Sequence, residues 1–190
     1  LGTIVIPASS AAFNIEIFAY YVLNSFSQAC TTFVGQNYGA GQIKRCKKIL
    51  LLCILEDAIA SAAVISLVLL SGRVLLSVFN SNPGVIEIGY TRLLIILSAY
   101  TFSMLYENMS GYLRGFGDSL IPAVLTVIGV CAVRITWIYT VFQTHRTFTS
   151  IMIAYPVSLF TTALLIFIAL MIYRPSRRYA AANETGSGEI

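Results

Sequence analysis

The sequence predicts an all-α fold, a polytopic membrane helix bundle with five transmembrane helices. Three observations predict it. The chain is 57% hydrophobic and only 11% charged, with a mean hydropathy of +0.81. A soluble domain carries roughly 25% charged residues, so this chain cannot cover a water-facing surface. Its apolar runs are continuous and long enough to span a bilayer, without the period-two alternation of barrel strands. Its basic residues gather at alternate breaks between those runs, as they do in an oriented membrane protein.

The first span is expected at about 13–34, the second at 49–70 and the third at 85–111. The fourth is expected at 120–142 and the fifth at 149–173. The segment Leu1 to Ala12 is too short to cross and is expected to be a loop or the tail of an upstream helix. Residues 1–178 form one transmembrane lobe in this reading, and 179–190 a polar, disordered cytoplasmic tail.

Orientation follows from charge. Lys44, Arg45, Lys47 and Lys48 follow span one, Arg114 follows span three, and Arg174, Arg177 and Arg178 follow span five. Only Arg73 and Arg146 lie between the other spans. The richer side is read as the cytoplasm, so the chain enters from outside and ends inside. Five spans with an outside N-terminus suggest that one or more spans precede the chain. The expected location is the cell (inner) membrane.

Six ionisable residues lie within the predicted spans: Glu16, Glu56, Asp57, Arg92, Glu107 and Arg134, with Glu87 near a mouth. Each costs about 2.5–3.5 kcal/mol or more at a helix centre, so so many together indicate a polar cavity. At 1.5 Å per residue, Glu16, Arg92 and Arg134 fall in the outer half, where Glu16 could pair with Arg134, or Glu87 with either arginine. Glu107 lies in the inner half, seven residues before Arg114, on the same helix face. Glu56 and Asp57 point about 100° apart, so one of them faces the interior. Glu16 and Glu107 are the candidates for binding a coupling ion, Na⁺ or H⁺, and Arg134 for pairing or gating. A structural ion pair is the competing reading for each.

The remaining chemistry is sparse. The lone His145 is placed in an outside loop, and no metal-binding pair of His and Asp is present. No metal, cofactor or intramembrane enzyme is expected. Cys30, Cys46, Cys53 and Cys131 contain no CxxC and read as small apolar residues. No basic stretch is interleaved with aromatics, so nucleic acid is not an expected partner. Two glycine-rich breaks remain. Gly35, Gly39 and Gly41 permit positive φ and close helix approach; Gly115, Gly117 and Pro122 end one span and start the next, with Asp118 or Ser119 as N-cap. Pro156, inside span five, is expected to kink that helix.

These breaks carry a resemblance. Thr32-Phe33-Val34-Gly35-Gln36-Asn37-Tyr38-Gly39-Ala40-Gly41 and Leu113-Arg114-Gly115-Phe116-Gly117-Asp118-Ser119 resemble motifs of the multidrug and toxic compound extrusion (MATE) family. Leu75-Leu76-Ser77-Val78-Phe79-Asn80 and Arg134-Ile135-Thr136-Trp137 resemble its bacterial branch. The resemblance runs from about Phe13 to Tyr173. It implies twelve helices in two six-helix lobes around a central cavity, with this chain as spans eight to twelve. The partners so implied are the lipid bilayer, a small organic cation or amphipathic substrate, an N-terminal lobe and the first helix of this lobe. The implied activity is efflux in exchange for Na⁺ or H⁺; the alternative is a lipid-linked or polysaccharide flippase. Several branches use an aspartate about ten residues before Leu113, where this chain has Ser103; Glu107 is one turn further on.

Overall fold

The computed structural model describes residues 3–144 and 146–175. His145, Arg177, Arg178 and the tail 179–190 lie outside the described residues. Among the described residues, five helices are long and apolar enough to cross a membrane: α1 (Val5–Gly39), α2 (Ile43–Phe79), α3 (Pro83–Gly115), α4 (Leu120–Thr144) and α5 (Phe148–Tyr173). At 1.5 Å per residue the first three are roughly 50 Å long, well beyond the ~30 Å hydrocarbon core.

The segment Leu1 to Ala12 departs from expectation. From Val5 onward it is the start of α1, neither a loop nor the tail of another helix. Pro7 sits in the first turn, where its missing N–H removes no helical bond. Ala8, Ala11, Ala12, Ile15 and Ala19 then keep one face buried. The helical period therefore runs through the proline, and small alanines keep the hydropathy of this turn below that of a span.

Helix α3 is central. It packs on α1, α2 and α5, while α4 leans mainly on α5. The two-helix contact of α1 and α3 is a parallel one. Ile4 approaches Gly84 at one end, and Val34 and Gly35 approach Gly115 at the other. Gly111 and Gly115 stand four apart on α3, the small-xxx-small spacing that lets membrane helices approach closely. A Cβ on Gly111 would lie 2.5 Å from the Ser27 carbonyl oxygen, and one on Gly115 would lie 2.6 Å from the Val34 side chain.

The glycine breaks fold as tight turns. Gly41 and Gly117 have positive φ, 71° and 91°. The Ala40 amide closes on the Gln36 carbonyl, and the Asp118 amide on the Leu113 carbonyl. Ser119 occupies the N-cap position of the next helix without a side-chain capping bond. Gly39 has open space around it, so it serves neither close approach nor positive φ.

Helix α4 is irregular. Val127–Ala132 widens to a π-helix. There Gly129 meets α5, where an added Cβ would lie 2.9 Å from the Thr162 Cα. Helix α5 carries Pro156 within its length. Large apolar side chains on the outside of the bundle include Phe18, Leu55, Leu67, Leu70, Ile135 and Ile172. The four cysteines are free thiols, three of them buried and Cys131 exposed.

Lys47 and Arg174 line one cleft with Tyr112, so the start of α2, the end of α3 and the end of α5 share one end of the bundle. Arg73 lies toward the opposite end, where it pairs with Glu87 at 2.9 Å in an exposed bridge.

Candidate functional site

Two polar clusters cross the bundle on the face of α3 that meets α1. The outer cluster is built on Glu16. Its carboxylate receives Arg92 Nε at 2.7 Å and Arg92 Nη2 at 3.0 Å. Both side chains are buried, 4% and 8% exposed. Two parallel charge-assisted bonds match the guanidinium fork to the carboxylate and lessen the desolvation cost that either charge would carry alone.

Glu16 therefore pairs with Arg92, and neither the Glu16–Arg134 pair nor a Glu87 pair with Arg92 or Arg134 forms. Arg134 instead stacks on Tyr155, 4.1 Å from guanidinium carbon to ring centroid, and donates to the Ser158 hydroxyl at 2.9 Å. Arg92 lies 5.7 Å from the same ring. The two outer arginines gather around an aromatic ring of α5, and Glu16 joins them through Arg92. Sequence depth placed them at one level; it could not say which of two arginines faced the acid. The answer depends on helix order, since α1 touches α3 and α4 stands beyond α5.

Tyr155 immediately precedes Pro156, and the Ser158 hydroxyl donates to the Tyr155 carbonyl at 2.9 Å. The side-chain partner of Arg134 is thus fixed within the turn that contains the proline. The π-helical turn of α4 ends one residue before Val133, next to Arg134. Irregular helices with a half-buried cation between them form the outer wall of the cluster.

The inner cluster is built on Glu107. Tyr20 donates its hydroxyl to Glu107 Oε1 at 3.0 Å. Arg114 Nη2 stands 3.9 Å from Oε2 and donates at 2.8 Å to the Ser27 hydroxyl. Ser27 in turn donates to the Glu107 main-chain carbonyl at 2.7 Å. The seven-residue offset does place Glu107 and Arg114 on one face. Tyr20 follows Glu16 by one helical turn, so α1 presents the acid of one cluster and the hydroxyl of the other on one stripe.

The two clusters differ in access. Glu107, Ser110 and Arg114 line a cleft of about 250 Å³ with Ser119, Pro122 and Thr126. At 3.9 Å the Glu107–Arg114 approach is a loose pairing compared with the 2.7 Å of Glu16–Arg92. A carboxylate with one firm hydroxyl donor, a distant cation and an adjoining cleft can exchange partners; a doubly bonded, enclosed one is held.

Of the two adjacent acids on α2, Asp57 is buried and Glu56 exposed. Asp57 accepts from Ser61 at 2.7 Å and from the Asn108 amide at 2.6 Å. Neither Ser61 nor Asn108 stood out in the sequence. The signal was present: Ser61 is one turn from Asp57, and Asn108 follows Glu107 within a predicted span.

The family model MatE matches residues 1–140. The chain is similar to a probable multidrug resistance protein NorM of Thermotoga maritima, 27% identical over 64% of this chain and 26% of that protein. It is similar to another protein of that name from Idiomarina loihiensis, 30% identical over 67% and 28%. Multidrug and toxin extrusion protein 1 of Oryctolagus cuniculus is 28% identical over 68% of this chain and 23% of its own length. The chain thus spans about a quarter of the length of these relatives. Among solved structures, the eukaryotic MATE transporter AtDTX14 superposes with a TM-score of 0.79 at 17% identity, over 94% of this chain and 41% of that one. The glycine-bounded helices, the all-helical bundle and these matches agree: the chain is a multi-pass membrane protein that belongs to the MatE family.

Proposed function

We propose that the chain is part of the C-terminal lobe of an antiporter that exports small organic cations or amphipathic compounds in exchange for Na⁺ or H⁺. The observation that carries this reading is Glu107: a carboxylate 8% exposed as a residue, loosely paired, at the edge of a cleft between α3 and α4. In alternating access an ion must bind one conformation better than the other to drive the cycle. Glu107 suits that requirement because its hydroxyl partner, Tyr20, lies on another helix, α1, so a movement of α1 against α3 changes how the carboxylate is held.

The reading as five of twelve helices is supported by proportion. Five helices of a twelve-helix transporter make up about the 41% of AtDTX14 that the chain covers. The end carrying Lys44, Arg45, Lys47, Lys48, Arg114 and Arg174 is assigned to the cytoplasm on its charge. Glu16 and Arg92 act as a clamp between α1 and α3, and Arg134 holds the turn of α5 around Pro156. The motif residues Gly35, Gln36, Gly41, Gly115 and Gly117 shape the turns and the α1–α3 contact.

The test is Glu107→Gln in the complete transporter, reconstituted in liposomes with a fluorescent organic cation. Efflux is expected to fall to background while the protein stays folded in the membrane. Normal efflux would remove Glu107 from the mechanism.

A further inference from the structure

The acids of the two clusters each face an arginine; Asp57 does not. Its residue exposure is 0%. Both carboxyl oxygens are occupied by neutral partners, Ser61 on its own helix and Asn108 on α3. Asn108 is also 0% exposed, and its side-chain Oδ1 carries no hydrogen bond. Among the described residues no cation pairs with Asp57.

The ionisable groups around it supply no positive charge. Glu107 of α3 precedes Asn108 and acts on Asp57 as a second acid. Cys53 and Glu56 are on its own helix, Glu56 exposed. From α1, Cys30 lies in one apolar cluster with Cys53. Arg114, at the end of α3, is engaged by Ser27 and Glu107. An unpaired buried carboxylate costs several kcal/mol, which the neutral acid avoids.

We propose that Asp57 is a proton-binding site between α2 and α3. It holds a proton while the two helices are packed and releases it to water when they part. The hydrogen-bond pattern admits both states. When Asp57 is ionised, the Ser61 hydroxyl donates to it. When it is neutral, the acid O–H donates to Ser61 Oγ across the same 2.7 Å, and the Ser61 proton rotates away. Asn108 donates to the other oxygen in both cases.

Na⁺ is disfavoured at this site, because the Asn108 NH₂ group points its hydrogens at Oδ2, where a metal ion would need an oxygen donor. The unpartnered Asn108 Oδ1 is the acceptor that a water would use to stand beside the acid. Asp57 lies nine residues beyond Lys48, roughly 14 Å into the helix, near mid-depth of the bilayer. Its partner Asn108 is the residue next to Glu107, so the negative charges of Asp57 and the cleft acid oppose each other across one turn of α3.

This proposal rests on the antiport reading, and its tests separate the two. The chain contains two aspartates, Asp57 and Asp118. With ¹³C at aspartate side-chain carboxyls and Asp118→Asn as background, Asp57 alone carries the label. Infrared spectra of the chain in lipid nanodiscs at pH 7 are expected to show the labelled carbonyl stretch of a neutral acid. A labelled carboxylate stretch there would overturn the proposal.

In the complete transporter, Asp57→Asn is expected to lower efflux driven by a pH gradient by about tenfold or more, with fluorescent-cation binding retained. Unchanged pH-driven efflux would overturn it, as would selective loss of Na⁺-driven efflux. If the unaltered transporter moves no substrate under either gradient, the antiport reading fails, and the infrared result still decides whether Asp57 is protonated.

Discussion

Glu16 on α1 and Arg92 on α3 form a two-point ion pair inside the bundle, at 2.7 and 3.0 Å, with both side chains under 10% exposed. The pair joins helices that are parallel neighbours, and it lies on the stripe that continues through Tyr20 to the second acid. The cleft chemistry thus depends on the α1–α3 contact being held in register.

Removing one member of the pair leaves the other charged, buried and alone. Arg92→Leu is expected to destabilise the folded protein by about 3–5 kcal/mol. The double variant Glu16→Gln with Arg92→Leu is expected to recover most of that loss. Thermal unfolding in detergent, followed by size-exclusion chromatography, measures both. A double variant no more stable than Arg92→Leu would show that the pair is not coupled.

The α1–α3 contact is also set by glycine. A Cβ at Gly115 would meet the Val34 side chain at 2.6 Å and the Thr31 carbonyl oxygen at 3.0 Å. A backbone carbonyl cannot swing aside, so Gly115→Ala must push the helices apart. Overpacking of this kind costs about 1–3 kcal/mol. Gly39→Ala, at a helical glycine with nothing within 4 Å, is the matched control and should leave stability unchanged or raise it. Equal losses at both positions would argue against close approach as the reason for Gly115.

The number, kind and order of helices were legible because apolar runs of this length have one stable form in a bilayer. The breaks were legible from Gly41 and Gly117, which do adopt positive φ. The start of α1 was not, because alanine is small enough to pack and too weakly hydrophobic to mark a span. Pairing was the larger difficulty. Depth along a helix is a property of one segment, and it placed Glu16 beside Arg92 and Arg134 alike. Which arginine faces the acid is a property of helix order, and the α3-centred arrangement came from packing. Asp57 and Asn108 were obscured for the same reason: they meet across 51 residues of sequence.

Tyr20 fixes one oxygen of Glu107 by a single bond of 3.0 Å. Tyr20→Phe keeps the ring and removes the donor. The hydroxyl positions the carboxylate at the edge of the cleft, so efflux by the complete transporter is expected to fall by about tenfold, the usual worth of one hydrogen bond, with the fold retained. An efflux rate identical to that of the unaltered transporter would show that the hydroxyl does not bear on Glu107.

Arg134 offers the sharpest separation between the two arginines. It stacks on Tyr155 and bonds to Ser158, both on α5, and it makes no contact with Glu16 among the described interactions. Arg134→Lys keeps the charge and gives up the planar stack and the directed Nε bond. Stacking of a guanidinium on a half-buried ring contributes about 1–2 kcal/mol, so the variant is expected to lose a comparable amount of stability in the α4–α5 contact. Tyr155→Leu should produce a similar loss, and the two together little more than either alone. Glu16→Gln should give no rescue of Arg134→Lys. Restoration of stability by Glu16→Gln would mean that the acid answers to Arg134 after all, and would return the outer cluster to a three-charge network rather than one ion pair beside one cation–ring pair.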